Sequence, residues 1–565
     1  MSDNNLYRLA STTVCEPLVS NWTAWPSVIA PVPAGFHLSE YQIPALQSFV
    51  ENPALHAQAC RSPELAGGPF VNIEVERVEE VKALLGEMQI QMAHNIRMAR
   101  DLREFQNWLI EHARGESLEP YYGRIPASLR GYVELVYDYY HRASVRVLEG
   151  LLYESDYYLP TLHSLRLFSL RNDRARPYFL NTPRLLQEAQ ISCNMPFDDV
   201  RVDRLFELSL KPSTLAEVRE LLSLDQSSDK ALLPLLSSHE IMPPARWAED
   251  SVRVKYFGHA CVLFERRGVS ILTDPFVPVR TLEGGIERHT YDDLPARIDY
   301  ALVTHGHQDH FSLESLLRLR HRIECLIVPH ASGMLYGDVS LKLLAKRLGF
   351  RNVIEMDVFE SIPLEDGEII AIPFLGEHSD IAHSKAAYVI RAGCRQILVA
   401  ADADCLDINI YRNVRAALGP VDTVFIGLES VGATLSFAYG SLLPQKPSRT
   451  QEQTRRQHGC NAERALEILD VLDADHLYNY AMGLEPWMYY ILGFDLDETS
   501  PQLQESEILL SKLRSRGFAA AERLYGKREF YLDDRASVNG KTFSQYSAAH
   551  LVSESSHDAE DDFAF

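Results

Sequence analysis

The chain contains no CxxC pair. Its eight cysteines (Cys15, Cys60, Cys193, Cys261, Cys325, Cys394, Cys405 and Cys460) are scattered through 565 residues. That scatter excludes a thiolate zinc site and a disulfide framework, and it leads us to expect a reducing, cytoplasmic setting. No apolar run approaches the roughly 18 residues that cross a bilayer, and the start MSDNNLYRLA lacks the basic-then-apolar pattern of a signal peptide. A membrane role is therefore not expected. Basic residues are in deficit: 55 Lys and Arg stand against 78 Asp and Glu, a net charge of −23. Such a surface repels phosphate backbones, so nucleic acid is excluded as a partner unless a local basic face exists, and the sequence shows none. No GxGxxG follows a strand-like run, which excludes a nicotinamide or flavin fold of that type.

What is present is ordinary in bulk and unusual in one place. Hydrophobic residues at 46% and charged residues at 24% are those of a globular chain, and the length calls for two domains with separate cores. Residues 1 to about 70 read as irregular structure with short elements. Apolar steps of three and four residues from Glu74 to Ile110 predict helix up to Gly115, and Ser128 to Tyr153 reads as a second helical stretch. Its aromatics (Tyr132, Tyr137, Tyr139, Tyr140) read as core or subunit interface. The break between Asp225 and Asp250 marks the boundary between an N-terminal α+β domain over 1–245 and a second domain over 246–535. The acidic tail 536–565 has little to bury and reads as disordered.

After the boundary, short β-like runs alternate with helices in an α/β order. Val252 to Val277 reads as two strands around the turn at Arg267-Gly268. Then comes LVTHGHQDHF, Leu302 to Phe311, where His305, His307, Asp309 and His310 crowd into six positions behind a strand-like run. A strand ending in a tight loop aims alternate side chains at different points, so His305 and His307 could face one metal ion while Asp309 and His310 face a second.

The ordered set GHACVLFE, ILTDP, THGHQDH, FLGEHSD, ILVAADAD and a late His resembles the metallo-β-lactamase fold, a four-layer αββα sandwich with a two-metal site along one edge. Fold alone does not name the reaction. The GEHSD segment, HLYNYAMGLEPWM, NAERALE and the long N-terminal domain further resemble the diiron β-hydroxylases of nonribosomal peptide biosynthesis, known from the chloramphenicol pathway. The resemblance implies a dioxygen-dependent monooxygenase that hydroxylates the β-carbon of an amino acid tethered to a carrier domain, with electrons from an external reductase. It also implies a homodimer whose N-terminal domain makes the contact and shapes the substrate channel.

Carried over residue by residue, the resemblance implies one iron held by His305, His307 and Glu377 and another by Asp309, His310 and His476, with Asp402 bridging. Glu377 would be the carboxylate that shifts to admit dioxygen. Two alternatives stay open: His378 in place of Glu377, and Asp404 in place of Asp402. A set so rich in carboxylates suits iron, yet softness alone does not exclude zinc, and a dinuclear zinc hydrolase of lactonase or phosphodiesterase type is the alternative function. Asp274 is expected to hydrogen-bond a ligating imidazole, and His259 to be structural rather than a ligand. Glu429 reads equally as a cleft residue or a solvated loop carboxylate. His378, His383 and His458 are left outside the ligand set in the diiron reading. The arginines of RTQEQTRRQ, Arg449 to Gln457, read as a possible rim for a phosphate or an acidic carrier, or as a solvated face.

Overall fold

The computed structural model describes residues 5–65, 67–239, 241–333, 336–376 and 383–534. The second half is a sandwich of two seven-stranded mixed sheets. One sheet runs, edge to edge, through Val353–Met356, Ile323–Pro329, Ile298–Leu302, Val269–Thr273, Cys261–Arg266, Val252–Gly258 and Arg528–Leu532. The other runs through Ser361–Leu364, Gly367–Ile372, Ala387–Ala392, Arg395–Val399, Thr423–Ile426, His476–Asn479 and Ala520–Arg523.

Both sheets are covered on both faces, and the strands show it in their burial. In Cys261–Arg266, Val262 and Phe264 pack between the sheets while Cys261 and Leu263 face the outer layer. In Ala387–Ala392, Tyr388 and Ile390 point inward while Ala387 and Val389 meet the helices Ile408–Leu418, Ala462–Leu472 and Pro501–Ser515. A strand apolar on both faces is the mark of a doubly covered sheet. Each fully buried side chain of this size contributes about 1.5–3 kcal/mol.

Each sheet is antiparallel on one side and parallel on the other. Val269–Thr273, Ile298–Leu302, Ile323–Pro329 and Val353–Met356 pair in parallel. So do Arg395–Val399, Thr423–Ile426, His476–Asn479 and Ala520–Arg523. Ligand sites in such sheets gather where parallel strands end, and the metal loop leaves from one of those ends.

The N-terminal domain holds a four-stranded sheet (Trp22–Thr23, Thr13–Val19, His163–Ser169, Ile191–Asn194), a small three-stranded sheet and the helices Val78–Gln91 and Ala93–His112. Its last strand ends at Ser237, and the sandwich begins at Val252. The two domains share a continuous core: Val14, Leu165 and Phe206 belong to the same apolar cluster as Leu263, Leu317 and Val328.

Several local expectations are corrected. Ser128 to Tyr153 is not one helix but the hairpin Val133–Tyr137 and Ala143–Val147, followed by a single turn. Alternation of buried Val133 and Leu135 with exposed Glu134 favours a strand, and Tyr139 and Tyr140 sit fully exposed at its tip rather than in a core. Residues 5–65 carry strands and helices with buried residues such as Leu18, Phe36 and Phe49. Val252 to Val277 makes three strands, because a second tight turn at Gly258 and His259 interrupts it. The tail 536–565 lies outside the described residues.

Candidate metal centre

Five of the predicted ligands converge at one end of the sandwich. His305, His307, Asp309 and His310 follow strand Ile298–Leu302, and Asp402 follows Arg395–Val399 in the facing sheet. His305 Nε2 lies 3.1 Å from His307 Nδ1 and 3.6 Å from Asp402 Oδ2. His310 Nε2 lies 3.0 Å from the same Asp402 oxygen and 3.9 Å from Asp309 Oδ2. The ligand atoms of His305, His310 and Asp402 all fall within 4.8 Å of one another, and so do those of His259, Asp309 and His310. His310 thus stands between two groups of donors.

The far side of each ring is held so that its inner nitrogen can face a cation. His310 Nδ1–H donates to Asp274 Oδ2 at 2.8 Å. The Thr304 hydroxyl donates to that same oxygen at 2.8 Å, and the Thr304 amide donates to Oδ1 at 2.7 Å. With its hydroxyl proton committed to Asp274, Thr304 Oγ1 accepts from His305 Nδ1–H at 3.1 Å. One buried carboxylate therefore orients two imidazoles, one directly and one through Thr304. His307 Nε2 meets the Tyr439 hydroxyl at 3.0 Å, which leaves Nδ1 as the nitrogen facing His305.

His259 takes a different role. The turn that carries it is left-handed at Gly258 (φ 117°) and His259 (φ 51°), and a Cβ at Gly258 would come 2.6 Å from the Trp487 ring. The Gly483 amide donates to His259 Nδ1 at 3.2 Å, so the ring proton sits on Nε2 and points at Asp309 Oδ2, 3.2 Å away. Buried Glu485 closes this shell, accepting from the Tyr256 hydroxyl at 2.6 Å and the His259 amide at 3.2 Å. A neutral imidazole in this tautomer orients Asp309 and has no lone pair left on Nε2 for a metal.

The two open alternatives for the bridge separate cleanly. Asp402 faces the histidines, while Asp404 turns away: its Oδ2 accepts from Arg464 at 2.6 Å and its Oδ1 from the Cys405 amide at 2.7 Å. His476 is not brought to the cluster. It opens its strand in register with Thr423, at the opposite end from the site, and its Nδ1 meets Asp475 at 2.5 Å. Strand rise puts it about 10 Å short of the level where Ile426 and Asn479 lie paired. Glu429, three residues beyond Thr423–Ile426, is where the cluster finds a further carboxylate. Burial raises its pKa well above the carboxylate range, and its neighbours Asp402 and Asp309 raise it further. Glu377 and His378 lie outside the described residues. His383 is exposed, and His458 Nδ1 meets the Ser430 carbonyl at 3.0 Å.

The charge balance fits a cation. His310 is fully buried, which disfavours its charged form, yet Asp402, Asp309 and Asp274 outweigh burial and hold its pKa well above the usual value. Burial likewise pushes Asp309 up, but His310 and His259 draw its pKa far below the carboxylate range. Three carboxylates (Asp309, Asp402 and Glu429) gathered with the imidazoles of His305, His307 and His310 in one place call for positive ions that accept both oxygen and nitrogen ligands.

A cavity of about 480 Å³ opens onto His307, Asp309 and Glu429. Trp25, Gly67 and Leu180 of the N-terminal domain wall one side, and Phe437, Ile491, Leu492 and Phe494 line the rest. Arg456 and Gln457, from the arginine-rich stretch, lie on the same cavity, and Arg456 Nε donates to the Gly432 carbonyl at 2.8 Å. Sequence reading passed over Thr304, Tyr439 and Glu485, because nothing local marks a residue whose partner comes from another strand.

The family model of the diiron non-heme β-hydroxylase N-terminal domain matches residues 8–240, and that of the β-lactamase superfamily domain matches 253–342. The 4-amino-L-phenylalanyl-(CmlP-peptidyl-carrier-protein) 3-hydroxylase of Streptomyces venezuelae is 34% identical over 534 residues, covering 93% of this chain and 100% of that protein. The crystal structure of CmlA, a diiron β-hydroxylase from the same organism, superposes with a TM-score of 0.87 at 34% identity, over 94% of this chain and 100% of that one. A metal-dependent hydrolase of Methanopyrus kandleri is 32% identical over 122 residues, only 22% of this chain and 46% of that protein.

Proposed function

The chain belongs to the diiron non-heme β-hydroxylases, and we propose that it hydroxylates the β-carbon of an amino acid held as a thioester on the carrier domain of a nonribosomal peptide synthetase. The observation that carries this reading is the convergence of His305, His307, Asp309, His310 and Asp402 at the end of a cavity walled by both domains. Likeness to hydrolases is confined to part of this chain, whereas likeness to the hydroxylase runs through both domains.

His305 and His307 would hold one iron, Asp309 and His310 the other, with Asp402 between them. Glu429 takes the place given to His476, and Glu377 remains the proposed carboxylate of the first iron. Bound iron supplies the activation of dioxygen: with two electrons from an external donor and two protons, one oxygen atom enters the C–H bond and the other leaves as water. The chain's own part is positional. Asp274, Thr304, Tyr439 and His259 fix the donors, and the apolar wall of Trp25, Leu180 and Phe437 excludes bulk water from the reacting carbon. Tethering the amino acid to a long arm raises its local concentration beside the metals.

The partners in this reading are the aminoacyl carrier domain, a separate reductase and a second copy of the chain. Among the described residues no helix is long and apolar enough to cross a membrane, and all eight cysteines are free, which suits a reducing cytoplasm.

The test is direct. Iron-loaded, reduced protein is given dioxygen with aminoacyl-carrier thioesters or with the free amino acids, and products are read by mass spectrometry. Addition of one oxygen atom to the thioester and not to the free amino acid is expected, since an untethered substrate loses the binding energy that positions the reacting carbon. Comparable turnover of the free amino acid would sink the tethering model.

A further inference from the structure

A second large cleft shares no lining residue with the cavity at the histidine loop. It has a volume of about 510 Å³ and is lined by the N-terminal sheet and its flanking segments. In a chain of net charge −23 its lining has the opposite sign: Arg77, Arg166, Arg171, Arg176, Arg184 and Lys230 stand against the carboxylates of Glu16 and Glu74.

The cations are not equivalent. At the rim, Arg77 pairs with Glu80 at 2.7 Å, Lys230 with Glu188 at 2.9 Å and Arg171 with Glu283. On the floor, Glu16 is shared by Arg176 and Arg184, each at 3.1 Å, and Arg176 also reaches Glu314 at 2.9 Å. Arg166 alone on that floor forms no ion pair with a carboxylate among the described residues. It is 3% exposed, its Nε has no hydrogen-bond partner, and its two ends meet only amide oxygens, Gln190 at 3.3 Å and Asn21 at 3.4 Å. Burial pushes its pKa below the usual arginine value. Its cross-strand neighbour Glu16 is committed to Arg176 and Arg184 and makes no direct ion pair with it. A buried guanidinium left in that position is costly, and a fork of N–H donors lining a cleft matches the two oxygens of a phosphate.

We propose that this cleft is a binding site for a small phosphate-bearing molecule, its phosphate seated on Arg166 with Arg184 beside it. The remaining volume, bordered by Phe168 and Leu185, takes the organic part. The phosphate could be that of a pantetheine arm or of a free nucleotide, and the two differ in what fills the apolar part.

The test uses the intact, iron-loaded protein. Inorganic phosphate, 4′-phosphopantetheine, unphosphorylated pantetheine and AMP are titrated by calorimetry, with the absorbance of the iron centre followed in parallel. Saturable binding of phosphate-bearing ligands is expected, with none for pantetheine and no change in the iron spectrum. Tighter binding of phosphopantetheine than of AMP identifies the arm as the source, and the reverse order identifies a nucleotide. Arg166→Gln should weaken phosphate binding at least tenfold while the ligand-free variant melts at or above the wild-type temperature, because a buried guanidinium with no direct ion pair has been removed while Glu16 keeps Arg176 and Arg184. Absence of saturable phosphate binding to the wild type overturns the proposal whatever the variant does. Undiminished binding to Arg166→Gln assigns the arginine to structure alone and overturns it as well.

Discussion

The Asp274 carboxylate accepts the Nδ1 proton of His310 at 2.8 Å, and both side chains are fully buried. Asp274 itself sits in the left-handed region (φ 35°), at the turn that ends strand Val269–Thr273. That backbone tolerates Asp and Asn better than larger residues. The left-handed turn aims one carboxylate at His310 directly and at His305 through Thr304. Asp274→Asn should therefore keep the fold but lose one acceptor oxygen for three converging donors. Iron affinity, measured by competition with a chelator, is expected to fall about 10- to 100-fold. Unchanged affinity would show that His310 is oriented by other contacts.

The second relationship to test is Glu429 against His476. Glu429→Gln should bind less than the full complement of iron, because a neutral amide replaces a carboxylate beside Asp402 and Asp309. His476→Ala should keep full iron and lose only its contact with Asp475. Iron per chain and the visible spectrum of the two variants decide between them, and loss of iron in His476→Ala with full loading of Glu429→Gln would restore the original assignment.

Removal of His310 is the sharper test of the loop. His310→Ala should lose at least one iron per chain while its circular dichroism remains that of the wild type, since the sandwich core is built from residues such as Phe264, Tyr388 and Phe425 that do not depend on the site. Full metal occupancy in that variant would remove the loop from the ligand set.

Glu377→Asp and His378→Ala address the segment outside the described residues. If Glu377 binds iron, shortening it by one methylene moves the carboxylate by about 1.5 Å, far beyond the roughly 0.2 Å tolerance of a metal–ligand bond. The spectrum and the reaction of the reduced enzyme with dioxygen should change in Glu377→Asp and stay close to wild type in His378→Ala. The reverse pattern would point to a hydrolase-like site.

The pH dependence follows from Glu16. Burial disfavours its charge, but Arg184 and Arg176 outweigh burial and hold its pKa down to about 2, against an ordinary value of 4.5. A folded-state pKa below the unfolded one gives stability that is complete above about pH 4.5 and lost as pH falls toward 2. The shift corresponds to about 3 kcal/mol. Glu16→Gln should lower the melting temperature at pH 7 and flatten its decline in acid. A parallel decline in both proteins would place the acid-sensitive group elsewhere.

How much of this was legible in the chain depended on distance along it. The metal loop was readable because His305, His307, Asp309 and His310 are close in sequence, so spacing alone puts them on one turn. The helices from Glu74 to Ile110 were readable because their period is local. The hairpin at Val133–Val147 was misread, since apolar and aromatic residues in a short run satisfy either period until a partner strand fixes the pairing.

The sequence by itself determined the kind of chemistry: a loop of three histidines and one aspartate on a doubly covered sandwich, on an acidic chain. Only the tertiary structure decided which distant residues come beside that loop. Asp402 rather than Asp404, and Glu429 rather than His476, lie beside the histidines because strand direction and register carry one residue to the end where parallel strands stop and leave another at their start. Neither property is written within a single segment. The same holds for Asp274 and Arg166, whose significance lies in a partner that folding supplies in one case and withholds in the other.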